Sequence, residues 1–100
     1  MSAAFEDALA TIWVRTRPAL RARVDVIEAA ATARAAGMAT PAGDEAARTE
    51  AHKLAGLLGT FGHADGTSVA RTLEARFGGP GGDAEELARL VAELREVVER

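Results

Sequence analysis

Few residues of this chain offer a starting point for chemistry. It contains two histidines and no cysteine, which excludes a disulfide framework and any thiolate nucleophile or thiolate metal site. His52 and His63 lie eleven residues apart. That is too far for the usual pair of histidine ligands on one helix, and no matching carboxylate pattern surrounds them, so no metal site is expected. Ser2 and Ser68 stand in cap-like contexts without a base nearby, which argues against a serine nucleophile. His63, just past Gly62, reads as a solvated residue at a helix end. His52 remains, as a nucleophile in its own right. A neutral imidazole carries a free lone pair on one ring nitrogen near pH 7 and can attack a phosphorus centre without a dedicated base.

The neighbours of His52 fit that chemistry. A phosphoryl group gained by the ring would be bulky and anionic, and would need open access and nearby positive charge. Arg48, one turn earlier on the same stripe, and Lys53, next to the histidine, can reach such oxygens. Gly56 and Gly59 follow His52 by four and seven residues, within about 40° of its direction on a helix. Each costs about 1 kcal/mol relative to alanine in a helix interior. Two readings of the glycines stay open on geometry alone: close packing of a neighbouring helix, or close approach of a partner's active site.

These residues must be positioned by a helix. Ala47, Ala51, Leu54, Leu58 and Phe61 recur at the spacing of one helix face. His52 lies about 160° from Leu54, so burial of the apolar stripe turns the imidazole toward water. Thr40-Pro41 or Asp44 opens this helix, which runs to about Thr60, and Gly62 ends it.

Around it the chain reads as further helices. From the N-cap Ser2, the residues Phe5, Leu9 and Ile12 mark one face of a first helix, with Trp13 at its border as a packing anchor. Pro18 is expected to end or kink that helix, and Thr16 to cap a second one running to about Ala36. Leu20, Val24, Ile27 and Ala31 point inward there, and Gly37 stops it. Arg15, Arg17, Arg21 and Arg23 form a basic cluster, either solvated or available to an acidic partner. Asp65 is expected to cap a helix whose Val69, Leu73 and Phe77 face the core. The run Gly78-Gly79-Pro80-Gly81-Gly82 is a break. Asp83 with Glu86 has capping-box spacing, and Leu87, Leu90, Val91, Leu94, Val97 and Val98 form the last inward seam.

No stretch alternates with period two, so the expected class is all-α: an antiparallel four-helix bundle with a short additional N-terminal helix, in one domain spanning residues 1–100. A net charge of −3 and a pI near 5.3 argue against a nucleic-acid binder. No apolar run approaches the ~20 residues of a membrane span, and the acidic residues Glu6 and Asp7 do not resemble a signal peptide. A cytoplasmic location without membrane contact is expected. The glycine loop lacks the lysine, the Ser/Thr and the preceding strand of a nucleotide-binding P-loop.

The string His52-Lys53-Leu54-Ala55-Gly56, continued by Gly59-Thr60-Phe61-Gly62 and by Leu73-Glu74 on the next helix, closely resembles histidine-containing phosphotransfer (HPt) domains. The motif covers residues 50–74, and the expected helix order extends the resemblance over nearly the whole chain. The resemblance implies a phosphorelay shuttle that accepts a phosphoryl group from a receiver domain's aspartyl phosphate and passes it to another receiver's aspartate. His52 would be the phosphoacceptor, Gly56 the clearance position and Lys53 a neighbouring charge. Response-regulator receiver domains and a hybrid histidine kinase would be its partners. No cofactor of its own is implied, the magnesium ion being held by the receiver. The chain would be a phosphotransfer intermediate and not an ATP-using kinase. One departure stands out: many members carry lysine three residues after the histidine, where this chain has Ala55. That departure keeps open an alternative from another class, a helical adaptor or dimerisation bundle that binds receivers or kinases without catalysis.

Overall fold

A computed structural model describes residues 2–100. Four helices follow in order: α1 (Ala3–Ala35), α2 (Pro41–Thr60), α3 (Ala64–Phe77) and α4 (Ala84–Val98), with no strand among the described residues. Helix α1 packs on α2 and α4, and α3 packs on the same two. The four therefore form a square bundle in which α1 and α3 are diagonal partners. The all-α bundle read from the sequence is the architecture found.

Each helix buries the stripe its sequence marks. Leu20, Val24, Ile27 and Ala31 of α1, Ala47, Ala51, Leu54 and Leu58 of α2, and Leu73 and Phe77 of α3 are all buried. So is the whole α4 seam of Leu87, Leu90, Val91, Leu94, Val97 and Val98, while Val69 and Phe61 pack at the edge of this core. Burial of each large apolar side chain contributes about 1.5–3 kcal/mol, so these stripes dominate the choice of fold.

The helix ends follow from local chemistry. Thr40 caps α2 through its hydroxyl, which accepts from the Gly43 amide at 3.0 Å, and Pro41 occupies the first turn. Gly62 has φ +83° and closes α2 in a Schellman arrangement: the His63 amide donates to Leu58 O at 2.8 Å and the Gly62 amide to Gly59 O at 3.0 Å. Asp83 caps α4 at 2.7 Å from the Glu86 amide. Glu86 does not complete the reciprocal half of a capping box, because its carboxylate is taken by Arg76 at 2.6 Å.

Three expectations are corrected. The short separate N-terminal helix does not exist, because α1 runs unbroken through Pro18. Proline removes one helical hydrogen bond and costs about 3 kcal/mol. Here its ring is exposed, while Trp13 and Leu20, on either side of it, are buried on a single stripe. A break would misalign those two anchors, and their burial offsets the lost bond. Of the first-helix face, Leu9 is half-buried, while Phe5 and Ile12 are 50% and 49% exposed. Asp65 does not cap α3; His63 holds that position without a side-chain bond. The tight turn at Gly62 feeds directly into α3, which places Asp65 in its first turn, where its carboxylate binds Arg100 at 2.6 Å.

The basic cluster on α1 also resolves. Arg17 donates to Val98 O and Arg100 O, Arg21 pairs with Glu99, and Arg23 pairs with Glu50. Three of its four arginines thus tie α1 to α4 and α2. At the opposite end Arg34 binds Asp44 and donates to the carbonyls of Arg76, Gly79 and Gly81. Its guanidinium lies 4.7 Å from the Phe77 ring centre. One side chain therefore satisfies the end of α3 and holds the glycine loop against the bundle.

Candidate functional site

The apolar stripe of α2 faces the core and leaves His52 on the flank that borders α3. Its side chain is 73% exposed, and Nδ1 lies 2.9 Å from Oε2 of Glu74, whose side chain is 27% exposed. A carboxylate can only accept, so Nδ1 carries the hydrogen. In the neutral ring the lone pair is then on Nε2. The same contact fixes the orientation of an otherwise free side chain, in the way a carboxylate orients a catalytic imidazole.

The register of α2 against α3 follows from two contacts. His52 meets Glu74, and Thr67 Oγ1 donates to Ala55 O at 2.8 Å. The helices run antiparallel, so each step toward the C-terminus of α2 is a step toward the N-terminus of α3. Ala55 is 7% exposed and faces α3 beside the histidine flank. The position three residues past the histidine is thus an interhelical packing position in this chain, without a charge of its own.

The two glycines differ in their surroundings. A Cβ at Gly56 would meet nothing within 4 Å, whereas one at Gly59 would lie 3.3 Å from Thr67 Oγ1. Interhelical packing accounts for Gly59 in part and leaves Gly56 without an internal reason.

The two neighbouring cations are each near a carboxylate. Arg48, on the same flank as His52, is forked onto Glu45 at 2.6 and 2.9 Å. Bonding and attraction to Glu45 raise its pKa, with a smaller push from the charge of Glu74. Glu45 is correspondingly lowered by its bond to Arg48. Lys53 is about 100° round the helix from His52, with Nζ 4.0 Å from Oε1 of Glu50. His63 is not the freely solvated residue expected. It is half-buried, with its ring centre 4.4 Å from that of Trp13.

In the sequence Glu74 stands out only as part of a motif, and its contact with the imidazole is not legible there. The contact spans 22 residues and depends on how α3 slides along α2, which no single-helix periodicity encodes. Among the described residues, no three His, Cys, Asp or Glu side chains converge as a metal site, and no helix is long and apolar enough to cross a membrane.

The site is thus an exposed, carboxylate-oriented histidine in the middle of a bundle helix, followed one turn later by an open glycine. The family profile described as Hpt domain matches residues 13–100. The match begins at Trp13, the first buried anchor of α1, and takes in the rest of the bundle. Comparison with curated proteins returns no match, and comparison with solved structures returns none. The profile covers well over half of the chain, which therefore belongs to the Hpt domain family, whose members serve histidine phosphotransfer with receiver domains in two-component phosphorelays.

Proposed function

We propose that this chain is a phosphocarrier that takes a phosphoryl group on His52 from the aspartyl phosphate of one receiver domain and yields it to the aspartate of another. The observation that supports this most directly is the His52–Glu74 pair, which engages Nδ1 of a side chain 73% exposed and leaves Nε2 without a hydrogen-bond partner among the described residues. In the forward step the Nε2 lone pair attacks phosphorus in line. The Nε2–P bond forms as the P–O bond to the aspartyl carboxylate breaks, and the leaving carboxylate keeps the electron pair. No proton has to leave Nε2. The ring becomes positively charged with hydrogen still on Nδ1, and the Glu74 carboxylate, 2.9 Å away, stabilises that charge as it develops. The return step reverses each of these changes.

The remaining roles belong to the same proposal. Gly56 and Gly59 leave room for the receiver's active-site loops. Arg48 and Lys53 support the phosphoryl oxygens after leaving Glu45 and Glu50, surface pairs of the kind that contribute little. Magnesium would enter with the receiver. A hybrid histidine kinase would be the upstream partner and the cytoplasm the place of action. In-line displacement of this kind depends on positioning and charge more than on covalent help from the protein.

The deciding experiment incubates wild type and His52→Gln with a radiolabelled phospho-receiver. Wild type should acquire acid-labile label and the variant none. Equal retention by the two would end the phosphocarrier reading.

A further inference from the structure

We propose that Arg71 is the residue whose guanidinium binds the phosphoryl group on His52, taking the part that a lysine at position 55 would otherwise play. This rests on the phosphocarrier reading above. A phosphoryl group on Nε2 carries up to two negative charges and stands near the Glu74 carboxylate, itself 2.9 Å from the same ring. A cation is therefore needed beyond what an isolated phosphohistidine would require. Ala55 supplies none. Arg48 is paired with Glu45 at 2.6 Å and Lys53 lies 4.0 Å from Glu50, so each supports the phosphoryl oxygens only after leaving its partner.

Arg71 is exposed, as Lys53 is, and differs from both in having no ion pair or side-chain hydrogen bond to any described residue. Its place follows from the register. On α3 it lies three residues before Glu74, which touches His52, and four after Thr67, which touches Ala55 and Gly59. With a rise of about 1.5 Å per residue, it stands level with the turn of α2 that carries Gly56. Its side chain lines a shallow groove of about 600 Å³ together with Gly59 and Thr67. No side chain projects from position 56, where a Cβ would meet nothing within 4 Å.

The planar fork of arginine suits two phosphoryl oxygens at once. Its charge offsets the charge spread over the equatorial oxygens as the Nε2–P bond forms.

The test compares wild type, Arg71→Gln and Arg71→Lys, phosphorylated either by a phospho-receiver or by phosphoramidate, from which ammonia leaves as the Nε2–P bond forms. Far-UV circular dichroism and urea unfolding should be the same for all three proteins. R71Q should accept label about tenfold more slowly from both donors, with R71K recovering part of the loss. By ³¹P NMR the phosphohistidine of R71Q should bind its phosphoryl proton at higher pH than that of wild type, because a neighbouring cation favours the dianion. A purely structural role would not move that titration. Rates within twofold of wild type with an unmoved ³¹P titration would overturn the assignment. Slowing with the receiver alone would also overturn it, by placing Arg71 in docking. Wild type that takes label from neither donor would instead defeat the phosphocarrier reading itself.

Discussion

Glycine at position 56 lowers the stability of its own helix, and nothing in the folded chain compensates for it. A Cβ there would meet no atom within 4 Å, so the interior packing that often explains a helical glycine is missing. Gly56→Ala should therefore stabilise the protein by about 0.5–1 kcal/mol, the ordinary difference in helix propensity, as read from the urea midpoint. Gly56→Leu should leave the circular dichroism spectrum unchanged and slow transfer from a phospho-receiver at least tenfold. Unchanged transfer kinetics in that variant would remove the clearance role from Gly56. His52 and Glu74 differ in how far the sequence reveals them. The exposure of His52 follows from its angle to Leu54, whereas the partner of its Nδ1 is settled by a neighbouring helix.

At the scale of the helices, another glycine governs how closely two elements approach. Gly66 in the first part of α3 is buried, and a Cβ there would lie 2.8 Å from a Val97 methyl and 2.9 Å from a Leu58 methyl. Here glycine lets α3 settle onto α2 and α4 together. Gly66→Ala should destabilise the fold by about 1–3 kcal/mol, the usual range for overpacking a core, despite its better helix propensity. A urea midpoint at or above that of wild type would show that the methyls shift without loss. Gly66→Ala and Gly56→Ala are thus the same substitution with opposite expected signs. Sequence periodicity puts Gly56 on the flank of His52 and Gly66 on the stripe of Leu73 and Phe77, but how closely Val97 and Leu58 approach Gly66 is set by the packing of three helices. The unbroken α1 has a similar origin: local rules place a stop at Pro18, and the distant partners of Trp13 and Leu20 override it.

For the whole molecule, surface charge joins the ends of the bundle. Arg21 binds Glu99 and Arg100 binds Asp65, holding the last turn of α4 to α1 and α3. Hydrogen bonding to Arg21 keeps Glu99 below its ordinary value of 4.5, and bonding to Arg100 keeps Asp65 below its ordinary value of 3.8. A carboxyl group lowered in the folded state contributes stability that is fully present above the unfolded value and is lost as pH falls through the folded one. Unfolding free energy should therefore hold nearly level from pH 7 to about 5 as far as these two groups are concerned, then decline through the acid range below 4.5. Because both pairs are exposed, the decline should be shallower in 1 M salt, where screening is strong. Arg21→Ala should flatten the Glu99 part of it. Acid titrations that coincide for wild type and this variant would show that the Arg21–Glu99 pair does not couple to folding.

The sequence by itself determined the class of fold, the inward stripe of each helix, the stops at Gly37 and Gly62, and the outward direction of His52. All of these follow from interactions within a few residues and from the helical period. Tertiary structure alone decided that α1 continues through Pro18, that Glu74 holds Nδ1, and that Gly56 is open while Gly66 is enclosed. Each of these depends on the rotation and register of one helix against another, and those are set by the summed packing of all four apolar stripes.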